Sequence, residues 1–249
     1  MPTSPKRAFF QPDAPEQASS QETHPPDHRL PLADALDALY TLHGRAPAPD
    51  GQEDLLATLI ATILSQSTTN INSARAFASL VDTFAGDWGA VRDASVEAVA
   101  TAIRSGGLAR QKAPRIQSLL HRLREAGRPD LEHLRALPAQ QALDALLSLD
   151  GVGPKTARFV LMWGAAAPLF AMDTHILRIA RRMAWIPQRA SDARAHTIMA
   201  PLIPDGQHWS AHVALIDHGR SICHPHHPRC DLCPLARACT YIPPEADAP

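Results

Sequence analysis

No stretch of this chain sustains the period-two alternation of a half-buried strand, whereas apolar residues recur at helical spacing from Leu30 onward. Leu32, Leu36, Leu39 and Tyr40 form one such stripe, and Gly44 stands where a left-handed residue can end it. The more apolar run Leu55 to Leu64 predicts a core helix, and further helices are predicted near 71–85, 93–104, 112–125, 139–148 and 155–164, with Pro138 in a first turn. Ser191 is a candidate N-cap, and Trp209, Val213 and Ile216 stripe a last helix ending near Gly219. With 23 prolines against 12 glycines, sharp helix stops are favoured over tight hairpins. The predicted fold class is all-α.

Residues 1–28 are dominated by Pro, Ser, Gln, Glu and Asp and predict a disordered tail, since little in them can offset the entropy cost of ordering. They contain no apolar stretch of the roughly 7–15 residues that a secretory signal needs, which predicts a cytoplasmic protein. The run Leu55 to Leu64 falls short of the roughly 18 residues of a membrane span. A net charge of -1 excludes a chain that is strongly basic throughout, but a basic face balanced by acidic segments remains open. Arg104, Arg110, Lys112, Arg115, Arg122, Arg124, Arg178, Arg181 and Arg182 are the candidates for such a face, with roughly half assigned to solubility alone.

The most informative stretch is Leu149-Asp150-Gly151-Val152-Gly153-Pro154-Lys155-Thr156-Ala157, set between two helical patterns. Glycines on either side of one apolar residue permit a sharp turn and let backbone N–H groups approach a phosphate oxygen, to which the next helix adds the positive end of its dipole. Such a unit grips DNA backbone without reading its sequence. A plain glycine-rich turn between helices is the other reading. Lys155 stands in the first turn of that second helix, where the dipole and any burial disfavour the charged amine; a neutral lysine is a nucleophile able to form a Schiff base with a sugar carbon. Eighteen positions on, Asp173 lies in Ala171-Met172-Asp173-Thr174-His175, just before a basic helix. It can cap that helix, and it can relay a proton or stabilise a cationic sugar; the two roles are compatible.

All four cysteines, Cys223, Cys230, Cys233 and Cys239, fall within seventeen residues, spaced by six, two and five. That is too local to staple the chain, and four thiolates so placed can close around zinc or an iron–sulfur cluster. His224, His226 and His227 between the first two suit a loop surface that touches DNA.

Together, LDGVGPKTARFVL, AMDTHILRIARRM and HGRSIC-x6-C-x2-C-x5-C resemble the endonuclease III family of helix-hairpin-helix DNA glycosylases, over about Leu30 to Tyr241. The resemblance implies a bilobed all-α fold in which a six-helix barrel, residues 51–165 with the helix-hairpin-helix at about 140–164, faces a discontinuous iron–sulfur lobe formed by 29–50 and 166–249. It implies a 4Fe-4S cluster on the four cysteines, Lys155 as nucleophile and Asp173 as essential acid. The implied activity is a bifunctional glycosylase and AP lyase for oxidised pyrimidines of the thymine glycol and 5-hydroxycytosine type. The partner would be double-stranded DNA carrying such a lesion or an abasic site, bound by a monomer. Gly151, Val152, Gly153 and His175 would contact DNA, Leu108 would fill the hole left by the extruded nucleotide, and either Gln66 or Ser67 would provide a second wedge. The departures are Asp150 for a hairpin proline and Pro154 for a basic residue, which imply a weaker phosphate grip, and Ala109 for an aromatic residue with histidines for basic residues in the cluster loop, which imply a different lesion range and activity. The alternatives are an adenine-specific mismatch glycosylase and a weakly catalytic protein that binds damaged DNA; Lys155 favours the lyase.

Overall fold

The computed structural model describes residues 30–241, so the segment 1–28 read as a tail lies outside the described residues. Eleven α-helices and no strand occur among them. In chain order these are α1 (Leu32–His43), α2 (Leu55–Ser65), α3 (Asn70–Thr83), α4 (Trp88–Asp93), α5 (Val96–Ala102), α6 (Ala109–Glu125), α7 (Ala139–Leu147), α8 (Pro154–Gly164), α9 (Thr174–Arg182), α10 (Asp192–Met199) and α11 (His208–Ser221).

Local chemistry explains most of the boundaries. Gly44 ends α1 at φ 80°, its N–H bonded to Tyr40 O. Side chains of Asp54, Thr69, Asp87, Ser95, Asp173 and Ser191 cap the helices that follow them, accepting N–H groups that have no carbonyl partner within the helix. The helix predicted for 93–104 is α5, which starts later because Ser95 takes extended backbone and caps Ala98 N–H, and the short α4 just before it was not predicted. Pro138 is the N-cap of α7 and lies just outside its first turn. The helix predicted from 112 starts at Ala109, because Leu108 adopts a left-handed backbone at φ 51° immediately before it.

Apolar side chains gather in two clusters. One is built from α2 to α8, with Leu59, Ile60, Leu80, Ile103, Ile116, Leu146 and Val160 fully buried. The other joins α1 to α9, α10 and α11 through Leu36, Phe170, Ile176, Trp185, Met199 and Leu215. Helix α8 serves both, since Leu161 belongs to the first cluster and Met162 to the second. Neighbouring faces of α8 therefore pack in different cores, which places the helix at the boundary between them. Nearly every apolar residue of α2 is buried, so each Leu or Ile there contributes about 1.5–3 kcal/mol of burial. No helix of the described residues is long and apolar enough to cross a membrane.

Candidate active site

At that boundary lies a cavity of about 640 Å³ lined by residues of α2, α3, α8 and α11, together with Asp173. Lys155, the second residue of α8, and Asp173, the N-cap of α9, both line it, although they come from separate motifs. Lys155 is exposed in the free protein. Asp173 is buried, and its Oδ1 accepts Ile176 N–H at 2.8 Å, which fixes the carboxylate at the cavity wall. The cap uses one oxygen, so capping leaves the other for chemistry.

Phe159 and Trp163 follow Lys155 at i+4 and i+8 on one face of α8, and α11 supplies Trp209, His212, Val213 and Ile216. The ring centroids of Trp163 and Trp209 are 4.3 Å apart, and Trp209 stacks on His212 with 23° between planes. The sequence stripe Trp209, Val213, Ile216, read as the buried side of the last helix, is thus the cavity side; Ala211, Ala214 and Leu215 face the core. Phe159 and Trp163 were not identified from the sequence, and the signal that could have found them was their helical register with Lys155.

The hairpin between α7 and α8 is tight. Gly151 sits at φ 79°, in left-handed space, and Val152 is buried beneath it with its N–H on Leu149 O at 3.0 Å. Open space surrounds the position of a Cβ at Gly153, the N-cap of α8, so the helix N-terminus stays open to an anion. Asp150 forms an exposed ion pair with Arg122, which offsets the negative charge that the sequence places beside this turn.

The basic residues divide differently from the sequence expectation. Lys112 is only 4% exposed, and its Nζ donates to Leu64 O and Gln66 O at 2.7 Å and to Gly106 O at 2.8 Å. Burial lowers its pKa, as does the charge of Arg115. Arg115 donates to Gln66 Oε1 at 2.9 Å and to Gly151 O, while Arg178 and Arg182 hold carbonyl oxygens around Cys223. These four were read as candidates for a phosphate-facing surface; each is turned inward because chain carbonyls without helical partners need donors.

The same bonds separate the two wedge candidates. Gln66 is tied inward between Arg115 and Thr156 Oγ1, at 3.4 Å from the latter. Ser67 takes left-handed backbone at φ 54°, next to Gly107, whose added Cβ would lie 3.8 Å from Ser67 O. Leu108 follows that glycine and is 50% exposed. Ser67 and Leu108 therefore stand on adjacent loop tips, both clamped from below by Lys112. His175 is half-buried against Gly219, its Nδ1 accepting from Arg178 at 3.1 Å.

Cys223, Cys230, Cys233 and Cys239 line a second cavity of about 190 Å³ with Arg182 and Tyr241. No disulfide joins them. Burial pushes the Cys233 thiol up to about 11, and the other three cysteines add to the effect by opposing its ionisation. Arg182 donates to Cys223 Sγ at 3.2 Å, and His218 Nε2 lies 3.4 Å from Cys233 Sγ. Among the described residues no group of three or more His, Cys, Asp or Glu is disposed to hold a single metal ion. Four soft donors thus line one small cavity.

Residues 60–204 match the family described as HhH-GPD superfamily base excision DNA repair protein. Endonuclease III of Thermotoga maritima is 32% identical over 200 residues, covering 79% of this chain and 88% of that protein. A protein of Arabidopsis thaliana provisionally named a DNA glycosylase is 40% identical over 173 residues, 69% of this chain, and the chain spans only 58% of that relative's length. Among solved structures, a non-covalent endonuclease III–DNA complex superposes with a TM-score of 0.72 at 26% identity, over 84% of this chain and 93% of that one.

Proposed function

Because the chain belongs to the HhH-GPD superfamily of base excision DNA repair proteins and is endonuclease III-like within it, we propose that it is a bifunctional DNA glycosylase and AP lyase acting on oxidised pyrimidines. The observation that carries this reading is the meeting of Lys155 and Asp173 in one aromatic-walled cavity, with Lys155 one residue into the helix that the hairpin opens.

In this reading the hairpin amides and the N-terminus of α8 take a phosphate, and the damaged nucleotide turns out of the duplex into the cavity. Leu108 and Ser67 enter the gap it leaves. The Lys155 amine, once unprotonated, forms a bond to C1′ as the bond from C1′ to the base breaks; the bonding pair leaves with the base, which takes a proton from water. Asp173 stabilises the positive charge developing on the sugar and takes the proton that the amine sheds. The sugar ring then opens as nitrogen forms the imine, O4′ taking a proton. Loss of the C2′ proton expels the 3′-phosphate, and water releases the lysine.

Borohydride tests this directly: reduction of the imine is expected to leave a covalent protein–DNA adduct with an abasic duplex. Duplexes with thymine glycol or 5-hydroxycytosine are expected to show base release and the same adduct, ahead of those with 8-oxoguanine. Tight binding with no adduct on any of them would make the protein a damage binder instead.

For the second cavity, we assign the four cysteines to a 4Fe-4S cluster, whose chemistry there is structural, tying the loop after α11 to α9. Arg182 and His218 would direct their hydrogen bonds at its thiolates. The native protein is then expected to be brown, with iron and acid-labile sulfide in equal amounts. A colourless preparation containing zinc would overturn the assignment.

A further inference from the structure

The residues leading to Asp173 lie outside any helix, so their backbone groups lack regular partners. Two buried imidazoles from different helices meet this need. His196 on α10 accepts the N–H of Met172 at its Nε2, 3.3 Å away, while its own Nδ1 donates to Asp192 O at 2.7 Å. His212 on α11 donates from Nδ1 to Ala171 O at 2.8 Å. Both rings are almost fully buried, and burial lowers the pKa of each, which keeps them neutral. The His212 ring is itself held among Phe159, Phe170 and Trp209.

We propose that His196 and His212 are positioning residues that brace the backbone on the N-terminal side of Asp173 and so aim its carboxylate at the sugar. The bonds at Ala171 O and Met172 N hold both polar groups of a single peptide unit, the one between Ala171 and Met172, one residue before Asp173, and the cap to Ile176 fixes the far side of Asp173. With both ends held, the carboxylate enters the cavity in one orientation and pays no reorganisation when charge develops. Each ring has to be the neutral Nδ1–H tautomer, since His196 accepts at Nε2 and both donate from Nδ1. The proposal rests on Asp173 acting on the sugar as described above.

The tautomers are read by long-range 1H–15N NMR of the intact protein at pH 7. Two Nδ1–H imidazoles are expected at 196 and 212; an Nε2–H or doubly protonated ring at either position overturns the brace. Single-turnover kinetics supply the second readout. His196→Phe and His212→Phe are expected to lower the rate of base release by about tenfold to a hundredfold in protein that is still folded, read well below a thermal transition that the backbone groups left unpaired will lower. His196→Gln, which returns an acceptor to Met172 N–H, is expected to recover most of the loss. In an Asp173→Asn background the two Phe variants are expected to cost almost nothing more, because the group they aim is gone. Equal costs in both backgrounds, or no recovery by glutamine, would reduce the histidines to core packing and sink the proposal. The NMR readout needs no turnover, so a wild-type protein that releases no base refutes the glycosylase reading and leaves the brace to be decided by the tautomers.

Discussion

Lys155→Ala is expected to abolish the borohydride-trapped adduct and to slow cleavage of abasic DNA by about 10³-fold or more, since the nucleophile has no substitute within a group that acts as a unit. Affinity for the same duplex should change by only a few-fold, because the phosphate is held by backbone amides of the hairpin and the N-terminus of α8, which the substitution leaves in place. Asp173→Asn should keep adduct formation detectable while slowing base release by about 10²–10⁴-fold, the range for a positioned acid or base. Asparagine still accepts a hydrogen bond from Ile176 N–H, so the cap on α9 survives and the loss reads chemistry and not unfolding. Rapid quench on an abasic duplex measures cleavage by Lys155→Ala, and rapid quench on a duplex carrying thymine glycol measures base release by Asp173→Asn. Parental rates of cleavage by Lys155→Ala would transfer the nucleophile to another amine, and with it the whole assignment of the cavity.

The second large effect concerns stability. Lys112→Met keeps the length of the side chain but strands Leu64 O, Gln66 O and Gly106 O without their shared donor. At about 1–3 kcal/mol for each buried acceptor left unpaired, offset by the cost of burying an ammonium, a net loss of about 2–5 kcal/mol in urea unfolding is expected. Because those carbonyls belong to the end of α2, the Ser67 loop and the Leu108 loop, the variant should also extrude a 2-aminopurine-marked nucleotide less effectively at equal occupancy. Stability within about 0.5 kcal/mol of the parent would show that water replaces the amine at all three oxygens.

These two lysines show which settings are legible in the chain and which are not. Lys155 was legible because its setting is local: two glycines, a proline at the first helical position and the helix itself are consecutive residues. Asp173 was legible for the same reason, as an N-cap whose partner is three residues away. Lys112 was read with its neighbours as a cation for phosphate, because three basic residues after a glycine pair carry no mark of direction. Its direction is set by Leu64 and Gln66, 48 and 46 residues earlier, whose carbonyls lack donors once α2 ends. Gln66 shows the same dependence in reverse, drawn inward by Arg115 and Thr156 when sequence alone left it equal to Ser67.

Helical register, helix stops, the hairpin and the cysteine spacing were therefore determined by the sequence alone, since each depends on torsions and hydrogen bonds within a few residues. Which face of α11 meets the cavity, which cations turn inward, and which imidazoles hold the peptide before Asp173 were decided only by the packing of two cores against α8. The reason is that a buried polar group must find a partner wherever one is left over, and the unpaired carbonyls and amides exist only after distant helices have ended beside one another.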